Sequence, residues 1–183
     1  MNIAVFLVKS EDFYFKPDNT FIKGGSDYFI PDIVDTLYVS AAFVVRINKA
    51  VKYTTSDFAG RYYNEVAFGC ILNPSDIVKS SSPLSSGLAL AMDHTAYVTD
   101  KYADKKEVSG EVSFCFGKKE FRINISEEYL KLADKAIERL SRYCSLKSGD
   151  LIFIELSEMS EINRDEEVSI FYSDELSFNF LIR

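Results

Sequence analysis

The chain has 183 residues, 47% of them hydrophobic and 14% aromatic, which is enough apolar material for one buried core and a single domain over 1–183. Its 21 basic and 28 acidic side chains leave a net charge of −7, the wrong sign for a general grip on nucleic acid or an anionic membrane. One histidine, His94, stands in the whole sequence, so any site that needs two imidazoles is excluded.

Taken in chain order, Met1 to Val8 predicts a first strand. Its apolar run is too short for a signal peptide or a spanning helix, and Lys9, Glu11 and Asp12 follow at once. Asp18, Asp27, Asp32 and Asp35 fall around Pro17 and Pro31, where acids form turns, and Gly24 and Gly25 make a further turn. Phe43 to Ile47 reads as a strand, Ser56 to Tyr63 as a short helix capped by Thr55 or Ser56, and Glu65 to Ile71 as a strand. Lys79 to Gly87, rich in serine, has little to bury and predicts a loop; Tyr102 to Ser109, rich in charge, predicts a solvated one. Val112 to Phe116 and Phe121 to Ile125 alternate like strands. A helix over 126–144 follows, because Leu130, Ala133, Ile137, Leu140 and Cys144 recur at helical spacing. Glu127 and Glu128 suit its positive end, and Arg139 and Arg142 its negative end. Leu151 to Leu156, Glu167 to Phe171 and Leu176 to Ile182 complete an α+β, mainly β chain with one main helix.

The three cysteines, Cys70, Cys115 and Cys144, are odd in number and flanked by apolar residues, which predicts buried free thiols in a reducing, cytoplasmic setting. Asp93 and His94 are adjacent and, with one of Ser80, Ser81, Ser82, Ser85 or Ser86, would have the composition of a Ser, His and acid arrangement. A polar turn beside a serine-rich loop explains the same residues, and the chain lacks a Gly-x-Ser-x-Gly seat for a nucleophile. The acids Glu155, Glu158, Glu161, Asp165, Glu166 and Glu167 are spread over a strand end and a loop, which predicts a solvated face rather than a metal cage. The aromatic residues alternate with acids and small residues rather than with lysine and arginine, so they predict core packing and not base stacking.

An ordered string of segments then carries a resemblance. Phe15, Lys16, Pro17 and Asp18 are followed by a Gly turn, by Phe29, Ile30, Pro31 and Asp32, by Phe43 to Ile47, by Phe58 to Val66 and by Gly69. After the helix come Leu146, Lys147, Ser148, Gly149, Asp150, Leu151, Ile152 and Phe153. From Phe15 onward this resembles the fumarylacetoacetate hydrolase family. The resemblance implies a mixed β-roll, a homodimer, and a divalent cation such as magnesium, manganese or calcium that polarises a diketo or oxo-acid substrate for hydrolysis, isomerisation or decarboxylation.

The same resemblance places three metal-binding carboxylates at positions that here read Ser40, Ala42 and Ile71, none of which can supply one. The segment that resembles the family's lysine motif reads Leu90, Ala91, Met92, Asp93, and its threonine loop reads Ile154, Glu155, Leu156, Ser157. Only about fourteen residues precede Phe15, so the family's early histidine has no counterpart, and His94 lies in another segment. These losses lead to the expectation of a pseudoenzyme with no metal cofactor that acts as a binding or interaction protein, with a small organic acid as one conceivable ligand. The alternative is an active hydrolase or isomerase rebuilt around Asp93 and His94, with Lys16 or Glu155 assisting.

Overall fold

The computed structural model describes residues 1–74 and 83–183, and its architecture follows from short alternating strands that must share two cores. Strands β1 (Ile3–Leu7), β2 (Asp12–Lys16), β3 (Phe21–Lys23), β4 (Leu37–Ile47) and β5 (Tyr63–Pro74) come first, with a one-turn helix α1 (Ser56–Ala59) before β5. Helix α2 (Pro83–Leu90), β6 (Ala96–Val98) and β7 (Ala103–Asp104) follow. Then come β8 (Gly110–Phe116), β9 (Lys119–Ile125), helix α3 (Glu127–Tyr143), β10 (Leu151–Glu155), β11 (Ser160–Ile162), β12 (Glu167–Tyr172) and β13 (Glu175–Leu181).

Nine strands form one mixed sheet in the order β2, β1, β10, β4, β5, β6, β3, with β11 on β4 and β7 on β5; β13, β12, β8 and β9 form a second, four-stranded sheet. The β1–β10 and β3–β6 pairs are parallel. The large sheet's end strands, β2 and β3, are joined in the chain only by Pro17 and the single 3₁₀ turn Asp18–Thr20. So short a link between opposite edges requires the sheet to curl, and this is the mixed β-roll.

Side-chain alternation divides the roll's residues between two cores. One face contributes Ile3, Val5, Ala42, Val44, Ala67, Ile71, Ala96, Val98, Leu151 and Phe153, with Tyr14 of β2 and Phe21 of β3 packed against them. Because both edge strands reach this one small cluster, it is the inside of the roll. The outer face, including Phe43, Val45, Val66, Phe68 and Ile154, packs with Ala133, Ile137 and Leu140 of α3 and with Phe114 and Ile170 of the second sheet. Helix α3 starts where Ser126 accepts a hydrogen bond from the Glu128 amide and bears acids in its first turn and Arg142 in its last. The inside is crowded at Gly69, where a Cβ would stand 2.1 Å from the Tyr97 carbonyl oxygen.

Asp150 ties the start of the chain to the entry of β10. Its carboxylate accepts from the Asn2 amide at 2.7 Å, the Lys147 amide at 2.8 Å and the Asn2 side chain at 3.1 Å, and it is 3% exposed. Asp150→Ala would leave these donors without their acceptor and should cost about 2 kcal/mol in urea unfolding, with Asp150→Asn losing less.

Several expectations need correction. The serine-rich segment is not a loop throughout: Pro83 to Gly87 belong to α2, while Lys79 to Ser82 lie outside the described residues. The segment Tyr102 to Ser109 contains β7 and buries Val108 in the main core, against which Ala103 also packs. The helix over Ser56 to Tyr63 is a single turn, since Tyr63 already begins β5 and is drawn into the core at 1% exposure. All three cysteines are free thiols, yet only Cys70 is fully buried.

Candidate functional site

The residues expected at the former metal positions meet on the inner face of the roll. Ser40 pairs in register with Ile71, and Ala42 pairs with Gly69 on one side and Glu155 on the other. Ser40, Ala42 and Ile71 are each 0% exposed, and Ala42 and Ile71 belong to the apolar inner cluster. The three therefore offer one neutral hydroxyl among hydrocarbon. A hard divalent cation needs several anionic or carbonyl oxygens, so this set does not fit one. Among the described residues, no group of three or more histidine, cysteine or acidic side chains stands where it could hold a metal ion.

Other polar groups do reach this interior. The Tyr14 hydroxyl, Lys16 Nζ, Ser40 Oγ and Glu155 Oε1 are all buried, and the Tyr14 hydroxyl and Lys16 Nζ make no hydrogen bond. Glu155 was read as part of a solvated acidic run. It is instead half-buried, because as the last residue of β10 it stands between Leu7 and Ala42 on the inner face. Burial raises its pKa, while the neighbouring Ser40 hydroxyl and then Lys9 pull it down. Burial also raises the pKa of Tyr14, with the Glu155 charge adding to the effect. Lys16 is 2% exposed, and burial alone lowers its pKa to about 8. The β1–β2 register sets Tyr14 and Lys16 on the same face, opposite Val5 and Ile3.

Asp93 and His94 lie elsewhere, on the turn between α2 and β6. Both are exposed, and they line a shallow cleft of 370 Å³ with Tyr28, Phe29 and Pro31. The Asn19 side chain donates to the Asp93 carboxylate, and the His94 amide donates to the Asn19 carbonyl at 3.3 Å. His94 takes a left-handed backbone, φ 55°, as a turn residue. Tyr28, buried beside Asp93, has its pKa pushed up to about 12, first by burial and then by that charge. Of the expected serine partners, Ser80, Ser81 and Ser82 lie outside the described residues, and Ser85 and Ser86 belong to α2.

A much larger cleft, of 1140 Å³, opens where the C-terminal ends of β1 and β10 leave the roll beneath α3 and the β8–β9 hairpin. Leu7, Val8, Phe116, Phe121, Tyr129 and Leu156 make its walls, and Glu155 lines it too. Exposed Lys9 and Glu158 pair across its rim.

A curled mixed sheet with a second antiparallel sheet and one long helix against its outer face is the arrangement shared by a group of solved structures. The 5-carboxymethyl-2-hydroxymuconate delta-isomerase of Mycobacterium smegmatis superposes with TM-score 0.79 at 13% identity, over 99% of this chain and 78% of that one. The fumarylpyruvate hydrolase of Pseudomonas aeruginosa, solved with Mn²⁺ and pyruvate, gives 0.80 at 14% identity, over 100% and 90%. A Yersinia pestis CO92 protein assigned to the fumarylacetoacetate hydrolase family gives 0.79 at 13% identity, over 100% and 92%. The chain has the fumarylacetoacetate hydrolase-like fold. No family model and no curated protein matches the sequence. At such low identity the fold is shared, and the inner-face residues of this fumarylacetoacetate hydrolase-like chain must be judged on their own chemistry. No helix among the described residues is long and apolar enough to cross a membrane.

Proposed function

We propose that this chain is a catalytically degenerate bearer of the fumarylacetoacetate hydrolase-like fold, a metal-free binding protein rather than a hydrolase or isomerase. One observation carries the reading: Ser40, Ala42 and Ile71 are fully buried among apolar neighbours at the positions where the resemblance places metal-binding carboxylates. The alternative, an enzyme rebuilt around Asp93 and His94, draws less support. Both residues are exposed, and the Asp93 carboxylate already accepts from Asn19.

A cytoplasmic setting accords with three unpaired thiols. A homodimer and a small organic acid ligand remain proposals drawn from the resemblance. The test is a panel of diketo and oxo-acid substrates with Mg²⁺ or Mn²⁺, combined with melting scans. The expected outcome is no turnover and a melting midpoint moved by less than about 1 °C by either metal; turnover or a metal shift of several degrees would overturn the reading.

A further inference from the structure

The large sheet ends in a strand with one neighbour. Among the described residues β2 pairs only with β1, so alternate backbone N–H and C=O groups of Asp12 to Lys16 point away from the sheet. Natural edge strands are commonly guarded by a charge or a bulge, whereas the middle of β2 reads Phe13, Tyr14, Phe15. Phe15 is 40% exposed and meets the Phe13 ring edge-on at 5.8 Å, and Phe13 meets exposed Tyr143 of α3 at 5.5 Å. An aromatic patch therefore borders the open edge on the outer face. On the inner face, alternation sets Asp12 and Lys16 either side of Tyr14. The Asp12 side chain is exposed, whereas Lys16 is buried with no hydrogen bond at Nζ.

The segment Asp12-Phe13-Tyr14-Phe15-Lys16 is its own antiparallel complement. Two copies paired about Tyr14 place Asp12 opposite the partner's Lys16, Phe13 opposite the partner's Phe15, and Tyr14 opposite itself. We propose that two copies of this chain join their large sheets through an antiparallel β2–β2 pair in this register. The contact is isologous, so each pairing occurs twice. Asp12 supplies the opposite charge that Lys16 lacks within its own chain, and the phenylalanine pairs carry the aromatic patch across the two-fold axis. Moving the axis off Tyr14 loses both the charge pairs and the phenylalanine pairs, so the sequence specifies the register. This inference rests on the homodimer proposed above and names its surface; it is independent of the metal question. One short strand a side makes a small contact that forms in concentrated protein, and in a diluted chain Lys16 stays unpaired.

Sedimentation equilibrium of the wild-type protein, Asp12→Lys, Asp12→Asn and Phe15→Lys is the test, over about 5 to 500 µM. The wild-type mass should rise from the 20.8 kDa of one chain toward twice that value, reaching the midpoint at about 50 µM. Asp12→Lys should weaken association at least about tenfold, because it sets a lysine against the partner's Lys16, and Asp12→Asn by a smaller factor. Phe15→Lys should weaken it by about tenfold as well, since it places a charge in the middle of the edge. Both altered side chains are exposed, and unchanged melting midpoints in dilute solution confirm that the variants fold. If Phe15→Lys does not fold, the Asp12 variants decide the matter. A dimer that Asp12→Lys or a folded Phe15→Lys leaves as tight as wild type would overturn this edge alone and leave a homodimer through another face. A wild-type chain that stays at the mass of one subunit throughout would overturn this edge and the homodimer together.

Discussion

Ala42→Glu should cost about 4 kcal/mol or more, enough to leave most molecules unfolded or insoluble. Ala42 is 0% exposed, packed in the inner cluster, and sits directly opposite Glu155 in the β4–β10 ladder. A glutamate there must be taken out of water, fitted into space now occupied by a methyl group, and set against a like charge on the adjacent strand. Ala42→Leu separates the effects, because it adds volume without charge and should cost only about 1–3 kcal/mol. Urea unfolding of both variants reads the difference. A soluble Ala42→Glu protein within about 1 kcal/mol of wild type would show that this position tolerates a carboxylate and that the inner face is not the apolar interior described above.

The second large effect has the opposite sign. Lys16→Met should stabilise the protein at pH 7 by about 3 kcal/mol, the rough equivalent of moving an amine from its ordinary 10.5 to about 8. Lys16 has no hydrogen bond at Nζ and is 2% exposed, so below about pH 8 the folded protein holds an unpaired buried charge. Between about pH 8 and 10.5 the unfolded chain binds this proton and the folded one does not, so the Lys16 contribution to stability rises with pH. The advantage of methionine should therefore shrink across that window and vanish above it. Denaturation midpoints of both proteins from pH 7 to 10.5 measure it. A Lys16→Met protein less stable than wild type at pH 7 would mean that the amine is paired by a group of the folded protein.

Local pattern made the larger strands and α3 legible in the sequence. Apolar alternation located the longer strands, and the spacing of Ala133, Ile137 and Leu140 located the helix. The short edge strands β2 and β3 and the three-residue β6 were not legible, because such strands take their identity from a neighbour's ladder rather than from their own periodicity. The resemblance supplied the positions Ser40, Ala42 and Ile71, and register alone showed that they share one buried face. Glu155 looked solvated because its neighbours in sequence are acids at a strand end. Its direction is set by Leu7 and Ala42, 148 and 113 residues away in the chain. Lys16 is enclosed by closure of the roll, a long-range consequence that no local window contains. The expectation for Asp93 and His94 rested on adjacency, and adjacency placed them on an exposed turn instead of the inner face.

The central claim is that the inner face cannot hold a divalent cation, and the most direct measurement is electron paramagnetic resonance of free Mn²⁺ during titration into chelator-treated protein. The free-ion signal should rise in step with added metal, as in buffer alone. Loss of one equivalent of signal per chain, restored by Mg²⁺ or Ca²⁺ competition and absent in Glu155→Gln, would contradict the account.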